Sequence, residues 1–172
     1  MRRIVLAVIG AAVFVAPAAL VTAEASAAST TSVTRVAAVN WPVVRQGAKG
    51  ERVRVIQGLL KERGATVVID GTYGAATTTA VKAFQRKSHL AVDGFVGPAT
   101  WPKLVVTLAK GARGAAVGVL QHQLRFQYGY KTVAVDGVFG ASTQAAVKNF
   151  QGKHGVGADG IVGQATWKAL EA

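Results

Sequence analysis

The 172-residue sequence has no cysteine and only eight acidic residues. Without cysteine there is neither a disulfide nor a thiol nucleophile, so the fold must be held by packing alone. The eight Asp and Glu stand against 20 Lys and Arg, which gives a formal net charge of +12 at pH 7. This imbalance favours an anionic partner: a nucleic acid, an acidic membrane surface or a polyanionic cell wall.

Long apolar runs are also scarce, and the one that is present lies at the N-terminus. It spans Ile4–Val21, follows two arginines and is succeeded by the small residues Ala25–Ala27. This order predicts a cleaved secretory signal peptide over residues 1–27, with no stable membrane span after cleavage. Residues 28–42, rich in Ala, Ser and Thr, predict a flexible leader. We therefore expect a secreted protein, extracellular or associated with the cell wall.

Aspartate occurs only four times, and each copy opens the pattern D-G-x-x-G-x-x-T. The four motifs are DGTYGAAT from Asp70, DGFVGPAT from Asp93, DGVFGAST from Asp136 and DGIVGQAT from Asp159. A larger period of 66 residues relates the two halves, and upstream it shortens to 64, so the second half has a two-residue insertion near Tyr128–Thr132. The repeat predicts two modules, at residues 43–106 and 107–172.

The apolar spacing within each module is helical. Val53, Ile56 and Leu60 stand at i, i+3 and i+7, and Val117, Leu120 and Leu124 repeat this spacing. A second helix places Thr77, Ala80, Val81 and Phe84 inward, with Thr143, Ala146, Val147 and Phe150 as their copies. A third, short helix begins near Pro98 in module 1 and near Gln164 in module 2. The predicted fold class is all-α: two tandem three-helix bundles after a cleaved signal peptide.

The repeated motif has the composition of a helix entry. Asp accepts hydrogen bonds from backbone N–H groups two residues on, and the Gly after it supplies a positive φ. The second Gly is predicted at the N-cap and the Thr in the first turn, and an apolar residue between the glycines packs beneath the turn. For that apolar residue we expect Tyr73, Val96, Phe139 and Ile161 in the four motifs. The Asp residues are therefore predicted to be structural, with direct ligand contact as the alternative.

These residues resemble a known family. In module 1 the order is Gly50, Val53, Ile56-Gln57, Leu60, DGTYG, Thr77, Ala80-Val81, Phe84-Gln85, Leu90, DGFVG, Thr100 and Leu104. Module 2 repeats it through VLQHQL, DGVFG, AAVKNFQ and DGIVG. Both resemble the peptidoglycan-binding-like domain family, whose modules are attached to bacterial cell-wall hydrolases. The resemblance implies a three-helix fold that binds peptidoglycan without catalysis or a cofactor.

Candidate ligand contacts lie on the second helices and the repeated turns. They are Asp70, Tyr73, Lys82, Gln85, Asp93, Asp136, Phe139, Lys148, Gln151 and Asp159. Ammonium groups can pair with the carboxylates of wall peptides, and amides can bond to sugar hydroxyls. A solvated basic face is the alternative for the Lys and Gln positions. Trp41, Tyr128 and Tyr130 are either sugar-stacking aromatics or packing residues.

No pattern in the sequence indicates catalysis. Glycoside hydrolysis uses two carboxylates across a cleft, whereas each repeated turn supplies one. His89, His122 and His154 do not have the spacing of a zinc site, and no G-x-S-x-G elbow is present. The sequence therefore predicts a protein that is not an enzyme and that binds no metal or other cofactor.

The predicted function is binding of peptidoglycan by a secreted, non-catalytic protein. It would act as a wall-retained adaptor or as a targeting subunit for a separately encoded cell-wall hydrolase, and charge would add attraction to anionic wall polymers. The short break at Thr107–Gly114 predicts that both modules can engage one polymer. The alternatives are a small cell-wall hydrolase with an unfamiliar site and a basic nucleic-acid or polyanion binder. A recognition helix rich in Arg and Asn is lacking, which argues against nucleic acid.

Overall fold

The computed structural model describes residues 40–172. The predicted signal peptide, 1–27, and the predicted leader up to residue 39 lie outside the described residues. The helices are α1 Glu51–Glu62, α2 Ala75–Lys87, α3 Trp101–Leu104, α4 Ala115–His122, a π-helical segment Gln123–Gln127, α5 Ala141–Lys153 and α6 Gln164–Leu170. The all-α prediction is confirmed, with three α-helices in each module. None of these helices is long and apolar enough to cross a membrane.

Each module has its own core, built from the predicted helix faces. Val53, Ile56 and Leu60 of α1 are at most 1% exposed. The equivalent residues Val117, Leu120 and Leu124 are fully buried in module 2. The third helices close the cores with Trp101 and Leu104 in module 1 and with Trp167 and Leu170 in module 2. Isolated bridges, such as Val44 with Val96 and Leu108 with Val162, join the segment before each first helix to the last turn of its module.

The start of the third helix in module 1 differs from the prediction. The regular helix begins at Trp101, and residues 98–100 form a turn before it, in which the Gly97 carbonyl accepts the N–H groups of both Thr100 and Trp101. The proline that occupies the first helical turn is Pro102. In module 2 the third helix begins at Gln164, as predicted.

Trp41 lies within the range that was predicted as a leader, but it belongs to the core of module 1. Its side chain is 9% exposed, and its ring stacks on Trp101 at a centroid distance of 5.3 Å. The Trp101 indole N–H donates to the carbonyl of Pro42 at 2.8 Å. The ordered module therefore begins before residue 43, and Trp41 is a packing residue.

The two-residue insertion of module 2 is accommodated in two places. One extra residue widens the end of the first helix into the π-helical segment Gln123–Gln127. π-helical turns of this kind are the usual result of a single insertion into an α-helix. The second extra residue lies in the loop that follows, where the N–H of Tyr130 donates to the carbonyl of Leu124 at 2.9 Å. The insertion changes the surface beside the second helix and leaves the buried Leu124 in place.

The two modules pack against each other through α1 and α4. The helices cross at Gly58, where an added Cβ would lie 2.7 Å from Cγ2 of Val119. Around this crossing the Glu62 carboxylate accepts the N–H of Ala116 at 3.1 Å, and Glu51 contacts the His122 ring nitrogen at 2.8 Å. The short break between the modules is thus accompanied by a shared apolar interface, which the sequence analysis did not anticipate.

Candidate ligand-binding surface

The four repeated turns share one geometry. In each, the Asp Oδ1 accepts the backbone N–H two residues later, at 2.8–2.9 Å. The first glycines, Gly71, Gly94, Gly137 and Gly160, have φ between 72° and 77°, which is the left-handed region that favours glycine. The second glycine is the N-cap of α2, α5 and α6. The predicted helix entry is confirmed at these three positions.

A buried glutamine holds each turn together. Gln57 Nε2 lies 2.8 Å from Asp70 Oδ1, 3.0 Å from the carbonyl of Thr72 and 3.2 Å from the Thr77 hydroxyl. Its Oε1 accepts the N–H of Gly71 at 2.8 Å. The same set of bonds is formed by Gln85, Gln121 and Gln151 in the other three turns. The helix, the turn and the next helix are therefore joined by one amide group.

These bonds fix the protonation state of the turn carboxylates. The backbone N–H two residues later is the main cause that lowers the pKa of Asp70, Asp93, Asp136 and Asp159, and the glutamine amide lowers it further. Each Asp is consequently an ionised hydrogen-bond acceptor with its Oδ1 already engaged. A carboxylate in this state is suited to hold a turn and is a poor proton donor.

Four of the ten candidate ligand contacts have buried side chains, so the exposure expected of Gln85 and Gln151 is not found, and ligand contact by the four stays a prediction. Gln85 and Gln151 are each 1% exposed and are occupied by the turns. Tyr73 and Phe139 are also 1% exposed, because they are the apolar residues beneath their turns. The Tyr73 hydroxyl donates to the carbonyl of Gly94 at 2.8 Å, and burial raises its pKa.

The apolar residue beneath the last turn was assigned incorrectly from the sequence. Ile161 is 41% exposed, whereas Val162 is fully buried and occupies the place that Val96 takes in module 1. Val162 is also the residue that bridges to Leu108. The motif places its third residue, the first x, outward and its fourth residue inward, and in DGIVG the inward residue is Val162.

Of the six remaining candidates, one lysine and one aspartate lie close together on each module, whereas Asp70 and Asp136 lie at the first turns, near Arg54 and Arg113. Lys82 passes over the turn of Asp93, so close that a Cβ on Gly94 would lie 2.9 Å from the lysine Cε. Lys148 passes over Gly160 in the same way, with its Cε at 2.9 Å, beside Asp159. Each lysine contributes to lowering the pKa of the neighbouring Asp. The structure thus brings Lys82 together with Asp93, and Lys148 with Asp159, on equivalent exposed surfaces.

The remaining aromatic candidates of module 2 serve packing. The Tyr128 ring meets Phe150 edge-on at 4.8 Å, and its hydroxyl donates to the carbonyl of Leu170 at 2.8 Å. Tyr130 donates to Asn149 Oδ1 at 3.0 Å. Phe126 is an exposed aromatic residue that was not among the sequence-based candidates for ligand contact. It is 65% exposed and contacts His122 at the module interface. Between residues 40 and 172 no group of three or more His, Cys, Asp or Glu side chains could hold a metal ion.

Comparison with known proteins agrees with this architecture. The family described as "Putative peptidoglycan binding domain" matches residues 49–104 and 113–170. The N-acetylmuramoyl-L-alanine amidase CwlL of Bacillus licheniformis is 33% identical over 162 residues, which cover 75% of this chain and 45% of the amidase. The zinc D-Ala-D-Ala carboxypeptidase of Streptomyces albus G is 36% identical over 111 residues, which cover 60% of this chain and 43% of that protein.

Among solved structures, a peptidoglycan-binding protein from Clostridioides difficile is 44% identical, with a TM-score of 0.36, over 37% of this chain and 40% of that chain. The chain spans less than half the length of these curated relatives. The two family matches fall on the two three-helix modules and together cover most of the chain. The chain therefore belongs to the peptidoglycan-binding domain family and carries two copies of that domain.

Proposed function

We propose that the chain is an exported, non-catalytic protein that binds cell-wall peptidoglycan. It acts either as a wall-retained adaptor or as a targeting subunit for a separately encoded hydrolase. The single observation that carries the proposal is the duplication of a peptidoglycan-binding domain over residues 49–104 and 113–170. The formal net charge of +12 adds attraction to the anionic polymers of a cell wall.

The positions of the carboxylates support a non-catalytic role. All four Asp residues hold turns, and each has a lowered pKa. Glu171 is 2% exposed and bonds to Gln123 and Arg52, so it is not available to a polymer at the surface. Between residues 40 and 172 the other two carboxylates are Glu51, which contacts His122, and Glu62, which accepts the N–H of Ala116, so both are engaged where the two modules meet and do not form the opposed pair that glycoside hydrolysis uses. The relatives named as hydrolases are more than twice as long as their aligned regions.

We propose that the exposed surface shared by both modules provides the charged contacts. Lys82 and Lys148 occupy equivalent positions over the last turn of each module and are oriented by it. Their ammonium groups can pair with the carboxylates of wall peptides, which are abundant along a peptidoglycan strand. Two equivalent sites on one chain raise the local concentration of the second contact once the first has formed.

The experiment is co-sedimentation of the full chain with purified peptidoglycan that has been freed of teichoic acid. Specific binding should persist at about 0.5 M salt through hydrogen bonds and apolar contacts, whereas exposed ion pairs such as those proposed for Lys82 and Lys148 are screened within about 3–8 Å at such ionic strengths. Complete release at that salt concentration would identify the protein as a general polyanion binder. Release of soluble muropeptides by the wild-type chain would instead support the alternative of a small cell-wall hydrolase.

A further inference from the structure

The two modules differ at the groove between their first and second helices. In module 1 this groove is open and has a cavity volume of about 380 Å³. It is lined by Ala65, Ala80 and Ala83, by the Phe84 ring and by the cationic side chains Arg63 and Lys87, and by no acidic residue. We call it the module 1 groove. Its lining is apolar in the middle and positively charged at the edge.

The structure shows which residues of module 2 take the equivalent positions. Arg63 and Tyr128 each follow the end of the first helix and precede a glycine with left-handed φ. The Arg63 guanidinium donates to the carbonyl of Leu104 at 3.2 Å, and the Tyr128 hydroxyl donates to the equivalent Leu170 at 2.8 Å. The groove positions are therefore paired as Arg63 with Tyr128, Ala65 with Tyr130, Ala83 with Asn149 and Ser88 with His154.

In module 2 these larger side chains fill the place that is open in module 1. His154 stacks on Phe150 at a centroid distance of 4.1 Å, and Tyr128 covers the same ring from another side at 4.8 Å. Tyr130 and Asn149 are joined by a hydrogen bond of 3.0 Å across the groove. Phe150 is consequently 1% exposed. The cavity that module 2 keeps between these helices is smaller, about 290 Å³, and its lining includes Tyr130, Ala146 and Asn149 but neither the Phe150 ring nor Lys153.

The chemistry of the module 1 groove indicates its ligand. Pockets of this kind bind through an apolar wall and a few polar groups that fix the orientation of the ligand. Alanine methyl groups and a Phe84 ring that is only 9% exposed provide a wall for small apolar side chains, not a flat aromatic face for a sugar ring. The Arg63 guanidinium is engaged with three backbone carbonyls, which leaves the Lys87 ammonium as the group for an anion.

We propose that the module 1 groove binds the carboxylate end of a wall stem peptide with small apolar side chains, and that module 2 supports this site without providing a second one. This inference rests on the proposed function, because it names the part of peptidoglycan that is recognised. The carboxylate pairs with Lys87, and the terminal methyl side chains contact Ala65, Ala83 and Phe84. Recognition of the peptide end is then confined to module 1, whereas Lys82 and Lys148 give both modules charged contacts along the strand.

The test uses NMR titration of the full chain with three probes. They are a synthetic stem pentapeptide that ends in two D-alanines, the same peptide with a C-terminal amide, and glycan strands freed of peptide. The pentapeptide should shift the amide signals of Ala65, Ala83 and Lys87, and leave those of Tyr130 and Asn149 in place. The amidated peptide should bind about two- to fivefold more weakly, since one exposed ion pair is lost. The peptide-free glycan should cause no shifts at the groove.

Matched variants assign the effect to the groove. The double variant Ala65→Tyr/Ala83→Asn copies the filling pair of module 2 and should weaken pentapeptide binding at least about tenfold. Lys87→Gln should weaken it about two- to fivefold, whereas Lys153→Gln, at the equivalent position of module 2, should leave it unchanged. Lys87 and Lys153 are both exposed, so these two variants test the proposal even where the double variant alters the melting temperature.

The outcomes separate this inference from the proposed function. Binding to intact peptidoglycan without pentapeptide shifts at the groove, or equal weakening by Lys87→Gln and Lys153→Gln, would overturn the groove assignment and leave the proposed function standing. Shifts of the groove amide signals caused by peptide-free glycan would likewise overturn the groove assignment and leave the proposed function standing. A chain that binds neither intact peptidoglycan nor the pentapeptide would overturn both.

Discussion

At the scale of single residues, the most consequential side chains are the four buried glutamines that hold the turns: Gln57, Gln85, Gln121 and Gln151. Each is 1% exposed, and each joins an Asp, a backbone carbonyl, a Thr hydroxyl and a Gly N–H of one turn. A side-chain amide can do this because it carries both donors and an acceptor. A carboxylate could not donate, and an apolar residue could not bond at all. Each Asp-Gly turn is therefore stabilised by a glutamine on the helix that precedes it.

The first prediction concerns one of these glutamines. Gln121→Leu removes the bonds to Asp136, to the N–H of Gly137 and to the Thr143 hydroxyl. Because buried polar groups are left without partners, the free energy of unfolding should fall by about 2–4 kcal/mol. The exposed Gln127→Leu is the control and should change it by less than about 0.5 kcal/mol. Urea unfolding monitored by circular dichroism measures both, and equal effects would contradict a structural role for Gln121.

The sequence contains a pattern that could have identified these glutamines as partners of the turns. Gln85 and Gln151 stand eight residues before Asp93 and Asp159, and the other two motifs have a glutamine 13 or 15 residues before their Asp, so each motif has one glutamine partner. Glutamine is usually an exposed residue, and exposure was therefore expected. Whether a glutamine is exposed or buried depends on the tertiary contact between helix and turn, and helical periodicity does not show that contact. The Asp-Gly geometry was predictable because it is local to four residues.

A second residue-scale prediction concerns Glu171 and pH. Burial raises the pKa of Glu171 from 4.5 to about 7, and the neighbouring Gln123 and Arg52 lower it only in part. The Arg52 side chain is 42% exposed, so water screens its charge at 3.3 Å from the carboxylate. The folded state therefore prefers the protonated carboxyl more than the unfolded state does. This contribution to stability is complete below about pH 4.5 and is lost as the pH rises through about 7.

The expected result is a free energy of unfolding that falls by up to about 3 kcal/mol between about pH 5 and about pH 8. Glu171→Gln stays neutral throughout and should remove most of this fall. The four turn Asp, whose pKa values are lowered, act in the opposite sense: their stabilisation is present above their usual pKa of 3.8 and is lost as the pH drops below it. Urea titrations of wild type and variant at several pH values measure both trends. A wild-type profile that rises from pH 5 to pH 8 would contradict the protonation of Glu171.

At the scale of helices, α1 differs from the amphipathic helix that was predicted because it has two apolar faces. Val53, Ile56 and Leu60 face the core of module 1, as their spacing indicated. Val55 and Leu59, which are also fully buried, share the side of the helix that carries Gly58 and contacts α4. Nearly continuous burial along α1 is visible in the sequence as an excess of apolar residues. Because the sequence-based prediction assigned α1 only one apolar face, it did not predict the interface with α4.

The third prediction compares two glycines in these helices. Gly58→Ala places a methyl group against the Val119 side chain, so the close approach of α1 and α4 is lost and stability should fall by about 1–3 kcal/mol. Gly118→Ala, in α4, meets no atom within 4 Å and should raise stability by about 0.5–1 kcal/mol through helix propensity. Thermal melting of the two variants against wild type is the measurement. A stabilising Gly58→Ala would show that the two helices do not pack closely in solution.

At the scale of the whole molecule, duplication has produced two modules that share a fold and differ in their surfaces. Their cores and turns are related position by position, whereas the groove beside the second helix is open in module 1 and filled by Tyr128, Tyr130 and His154 in module 2. The sequence predicted the two folds and the location of the insertion. It could not predict that the insertion would cover the Phe150 ring and narrow the groove, because this depends on where the residues after the π-helical segment place Tyr128 and Tyr130.

The shared interface also makes the stability of one module depend on the other. Separated modules would expose Val55 and Leu59 on one side and Ala116 and Val119 on the other, all at most 4% exposed in the whole chain. Burying one such side chain is worth about 1.5–3 kcal/mol. An interface of this kind is a large part of the stability of a domain of about 65 residues without disulfides. The two modules should therefore unfold together.

The last prediction tests this coupling with a matched pair of core substitutions. Ile56→Ala in module 1 and Leu120→Ala in module 2 remove equivalent, fully buried side chains, and each should lower the free energy of unfolding by about 2–5 kcal/mol. If the chain unfolds as one unit, either substitution increases the hydrogen-exchange rates of buried amides in both α2 and α5, because these helices then open only through the common unfolded state. Mass spectrometry of peptides from the two modules measures the exchange separately. Faster exchange confined to the substituted module, with two transitions on thermal melting, would show that α1 and α4 join two domains that unfold independently.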